Sequence, residues 1–104
     1  MSTSRIAALQ QMIEQDPRDG TAHYMLGHEH FKAQNYAAAV TALRAYLTLA
    51  KDEGAAYGML ARSLARLGQT AEARQAYEDG LAAARRHNHQ PLIEEYTQAL
   101  TDLG

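Results

Sequence analysis

Leu26-Gly27 and Leu60-Ala61 stand 34 residues apart, and the register holds on both sides of them. Gly20, Ala22, Met25, Ala37, Ala39, Ala42, Leu47 and Ala50 recur as Gly54, Ala56, Met59, Ala71, Ala73, Ala76, Leu81 and Ala84. The repeated apolar positions follow helical spacing, so the period describes a helix pair that buries its apolar face against neighbouring pairs. Clusters of Val, Ile and Thr are missing, which argues against a sheet. Alanine dominates the apolar residues and combines the best helix propensity with a side chain small enough for close helix approach. The fold class is therefore all-α, an antiparallel helix-hairpin array of about six helices.

Residues 1–104 read as one domain with four parts. Over 4–17, Ile6, Leu9, Met12 and Ile13 keep helical spacing until Asp16-Pro17 ends the pattern, giving a half unit. The first full unit spans 20–53. Asp19 caps its first helix, over about 20–33, and the inward stripe is Ala22, Leu26, Gly27, His30 and Ala33. Gln34-Asn35 makes the turn, with Asn as the residue expected to take the left-handed conformation. The second helix, over about 37–50, turns Ala39, Val40, Leu43, Tyr46, Leu47 and Ala50 inward. The second unit spans 54–87, with helices over about 55–67 and 71–86, a stop at Gly68 and a cap at Thr70. Pro91 suits the first turn of a closing helix over 90–103, whose apolar stripe is Leu92, Ile93, Tyr96, Leu100 and Leu103.

Ten Lys and Arg face twelve Asp and Glu, a formal charge of −2, and no basic cluster offers a footprint for nucleic acid or anionic lipid. Cysteine is absent, which excludes thiol chemistry and Cys-ligated zinc. No apolar run reaches spanning length and no leader pattern opens the chain, so the expected location is the cytoplasm.

The residues resemble the tetratricopeptide repeat family, whose unit is two antiparallel helices stacked into a right-handed superhelix. With Gly20 and Gly54 as position 1, Leu26-Gly27 and Leu60-Ala61 fill positions 7 and 8, Ala39 and Ala73 position 20, and Gly68 position 15. Tyr57 takes a slot usually held by tryptophan, and Tyr77 is the aromatic at position 24. Lys51 and Arg85 replace the proline at position 32, His23 and His30 replace two aromatics, and position 27 holds Tyr46 and then Gly80. The resemblance implies a non-enzymatic module for protein–protein interaction, without cofactor or metal.

In that family, positions 2, 5, 9, 12 and 13 of each first helix line the concave groove. Here they are Thr21, Tyr24, His28, Phe31 and Lys32, then Ala55, Gly58, Arg62, Ala65 and Arg66. The resemblance thus implies a groove with an apolar anchor at Tyr24 and Phe31 and an acidic group near Arg62 and Arg66, two arginines one turn apart that can fork onto a carboxylate. Members that hold the C-terminal carboxylate of heat-shock chaperones carry lysine at position 5 and asparagine at position 9. Tyr24 and His28 occupy those slots and disfavour that ligand. The competing structural reading has the closing helix lie across the groove and bury Tyr24 and Phe31.

Two alternatives accompany this reading. Self-association as a homo-oligomer would cover Ile6, Leu9, Ile13 or Leu103. A regulatory metal site would draw on the five histidines, but His23 and His30 lie roughly 10 Å apart along one helix and His28 points about 140° away. No pair has the i, i+4 spacing that lets two imidazoles share one zinc. No phosphate loop, nucleophile elbow, zinc-protease or dinucleotide motif occurs, and the adjacent Glu94 and Glu95 diverge on a helix.

Overall fold

The computed structural model describes residues 2–103, with side chains over 5–103. All regular structure among the described residues is helical: α1 (Ser2–Gln15), α2 (Gly20–Lys32), α3 (Tyr36–Leu49), α4 (Ala55–Arg66), α5 (Thr70–Arg86) and α6 (Gln90–Leu103). Each boundary lies close to where the apolar spacing puts it. The chain gathers into two compact units, Met1–Lys51 and Asp52–Gly104. No described helix is long and apolar enough to cross a membrane.

In the first unit α2 packs against both α1 and α3. The Asp19 side chain accepts from the Ala22 N–H at 3.0 Å and satisfies one of the orphan donors of α2. Leu9, Leu26 and Ala42 form the centre, with Ile6, Ile13 and Met25 packed on it. Leu9 is thus part of the unit's own core, and Ile6 and Ile13, named in the self-association reading, are partly buried against it. Gly27 is required by close approach, since a Cβ there would stand 2.7 Å from Leu43 Cγ. Glu29, a residue the helical stripe left unremarked, is buried, and both Arg5 Nε and Lys32 Nζ lie 3.2 Å from its carboxylate. Two cations on one buried acid tie α1 to α2 and offset its desolvation.

In the second unit α4 packs on α5 and α5 on α6. Asp52 Oδ2 accepts from the N–H groups of Gly54 and Ala56, both at 2.9 Å, and so caps the entry to α4. Tyr96 of α6 reaches across to α4, its hydroxyl donating to the Gly54 carbonyl at 2.6 Å. It lies over two glycines, one on α4 and one on α5: a Cβ on Gly58 would meet its hydroxyl at 2.6 Å, and one on Gly80 its ring at 2.9 Å. The small residue at position 27 of this unit therefore makes room for the closing helix.

Two local expectations are corrected. The left-handed residue in the α2–α3 turn is Gln34, with φ 63°, while Asn35 keeps φ −87° as the N-cap of α3. Gln69 and not Thr70 is the N-cap of α5, and neither supplies a side-chain cap there. Backbone pairing decides both: Asn35 N–H bonds His30 O at 2.9 Å and Gln69 N–H bonds Leu64 O at 2.9 Å, so each turn closes through backbone.

Candidate functional site

Thr21, Tyr24, His28, Phe31 and Lys32 share one face of α2, as their spacing requires. Thr21, His28 and Lys32 are exposed, and Tyr24 and Phe31 are half-buried. Both rings are braced from α3. Tyr24 tilts on Tyr46 with centroids 5.1 Å apart, and Phe31 meets Tyr36 edge-on at 6.0 Å. Aromatic pairs of this geometry help to hold each other's rotamers. Lys32 is less available than its position implies, because its ammonium is held by Glu29.

On the second unit Arg62 and Arg66 are exposed on α4. Arg62 Nη1 donates to Glu95 Oε2 of α6 at 3.3 Å, with both side chains about half exposed. An exposed pair of this kind contributes about 0–1 kcal/mol and exchanges readily for another carboxylate. Gly58, expected to line the groove, is buried beneath Tyr96 and cannot touch a ligand. The carboxylate of Glu95 and the Tyr96 lid are the site features that sequence reasoning missed. Nothing local connects Glu95 to a residue 33 positions earlier.

The rings of Tyr24 and Phe31 touch tyrosines of their own unit. Among the histidines, His23 Nε2 donates to the Pro17 carbonyl at 2.9 Å, His30 Nδ1 pairs with Asn35 at 3.5 Å, and His89 Nδ1 accepts from Leu92 N–H at 3.4 Å. No three His, Cys, Asp or Glu side chains among the described residues converge on a common metal position.

Burial pushes the phenol of Tyr96 well above the ordinary tyrosine value of 10, with the nearby Glu95 carboxylate adding to it, and burial raises Tyr77 and Tyr57 as well. A phenol whose pKa is higher folded than unfolded stabilises fully below the unfolded value, and that stability is lost as pH rises above it. Stability therefore holds through pH 9 and falls above about pH 10, by at most about 1.4 kcal/mol per pH unit for Tyr96. Urea titrations between pH 8 and 11.5 check this, and Tyr96→Phe is expected to flatten the alkaline slope.

Capped helix pairs repeated at this period, with small residues at each crossing, define the class of helix-hairpin repeat proteins. A family model described as Tetratricopeptide repeat matches residues 6–52 and again 24–89, and the chain belongs to that family. The solution structure of protein BPP2914 from Bordetella parapertussis is similar, with 30% sequence identity and a TM-score of 0.78, covering 94% of this chain and 85% of that one. No curated protein gives a significant match. Tetratricopeptide repeats are in general protein–protein interaction modules and typically non-enzymatic.

Proposed function

We propose that the chain is an adaptor that binds a peptide or partner segment in the groove lined by its first helices. The observation that carries this is the pair of braced aromatics on α2: Tyr24 and Phe31 are held by Tyr46 and Tyr36 and flanked by the exposed Thr21 and His28. Rings fixed before binding lose little conformational entropy on contact and make effective anchors. The partner carries an apolar side chain for this face and an acidic group for the Arg62–Arg66 edge of the second unit. The existing Arg62–Glu95 contact supports the acidic preference, since a ligand carboxylate repeats the same interaction.

Selection from a displayed random-peptide library tests the reading. Recovered sequences are expected to combine an acidic residue or free C-terminus with an aromatic or large aliphatic residue. Arg62→Glu with Arg66→Glu, and separately Tyr24→Ala, are expected to weaken the selected peptide by about tenfold or more, equal to about 1.4 kcal/mol, with helical circular dichroism unchanged. Peptides that bind both variants as well as the parent chain refute it.

A further inference from the structure

Tyr24 and Tyr46 of the first unit stand one period before Gly58 and Gly80 of the second. In the first unit the two rings meet each other between α2 and α3, with centroids 5.1 Å apart. In the second unit neither position has a side chain, and the ring of Tyr96 lies over both. That ring is 1% exposed and its hydroxyl is held on Gly54 O at 2.6 Å, so α6 has a single seat beside α4.

The seat fixes where Glu95 stands. It precedes Tyr96 by one residue, about 100° round the helix, and its Oε2 lies 3.3 Å from Arg62 Nη1. The other acids of α6 are engaged within their own helix: Glu94 accepts from Gln90 at 3.3 Å and Asp102 from Gln98 at 2.9 Å. Glu95 instead reaches another helix, and the group it reaches is the arginine offered to an acidic ligand. The side chains of Arg62 and Glu95 are 47% and 48% exposed, so water and salt keep the pair weak and open to exchange.

We propose that Glu95 is a built-in competitor at Arg62, a resident carboxylate that an acidic ligand displaces when it binds. The inference rests on the groove reading above and concerns only its Arg62 end. Because Tyr96 anchors α6, Glu95 stays beside the guanidinium at a high effective concentration whatever the ligand. A ligand carboxylate therefore exchanges one ion pair for a similar one, and its net gain is smaller than the contact alone would give. A ligand without charge has no part in the exchange. Glu95 thus sets how strongly the second unit favours acidic over neutral partners.

NMR titration of the full chain tests this, with N-acetyl-Glu-Phe-amide as the probe, read at the Arg62 Nε–H signal at constant low ionic strength. Glu95→Gln is expected to lower the half-saturating probe concentration about threefold, the scale of one exposed ion pair, with helicity unchanged. Glu94→Gln removes the same charge from the same helix, away from Arg62, and is expected to leave that concentration as it is. The neutral probe N-acetyl-Gln-Phe-amide is expected to gain nothing from Glu95→Gln. An affinity unmoved by Glu95→Gln, an equal gain from Glu94→Gln, a gain shared by the neutral probe, or an Arg62 signal that ignores the acidic probe in every chain each overturns the proposal. The groove reading is judged apart from this by the peptide selection. Selected acidic peptides that bind the parent chain and Glu95→Gln equally leave that reading intact and remove the competitor. A selection without acidic peptides removes that reading, while the Arg62 titration still decides whether Glu95 competes.

Discussion

Tyr96→Ala is expected to lower the unfolding free energy of the second unit by about 3–5 kcal/mol. The side chain is 1% exposed, packs at a tilt against Tyr77 with centroids 5.6 Å apart, and donates to Gly54. Truncation removes all three interactions at once. The void cannot close easily, because much of its lining is the bare backbone of Gly58 and Gly80, which has no side chain to move inward. Urea unfolding followed by circular dichroism measures the loss. Tyr96→Phe keeps the ring and is expected to cost only about 0.5–1.5 kcal/mol, the net value of the hydrogen bond. Gly58→Ala, a clash in the parent chain, is expected to become tolerated in the Tyr96→Ala background.

Leu43→Ala is the corresponding change in the first unit, with an expected loss of about 2–5 kcal/mol from a side chain that is fully buried. Its coupling to Gly27 makes it diagnostic. Gly27→Ala alone gains helix propensity, up to about 1 kcal/mol, but forces a methyl to 2.7 Å from Leu43 Cγ, an overpacking that costs about 1–3 kcal/mol. After Leu43→Ala the same methyl enters a vacant site and its sign is expected to reverse. A double-mutant cycle by urea denaturation reads the coupling directly, and additive effects would mean that α2 and α3 do not approach as closely as Gly27 implies.

The parts of the fold legible in the sequence are those set by spacing within one helix and its cap. The stripe of Ala22, Leu26 and Gly27, the Asp19 cap and the Gly68 stop each depend on residues a few positions apart. The exposed members of the candidate site, Thr21, His28, Arg62 and Arg66, were legible for the same reason, since helical phase alone places them on an outer face. Glu29 illustrates the boundary. It continues the Ala22–Leu26 stripe inward, where an acid needs a cation, and one of its two partners, Lys32, is three residues away. Arg5 is not local, and the choice of a buried acid at that crossing is made between helices.

By itself the sequence determined the repeat, the six helices and the family, because a 34-residue period and small residues at the crossings act through local propensity and apolar phase. Tertiary structure alone decided that Tyr96 closes over Gly58 and Gly80 and that Glu95 meets Arg62. Those contacts join residues up to 42 positions apart. They depend on how far apart helix axes settle, a distance fixed by the fit of side-chain volumes that no single helix encodes.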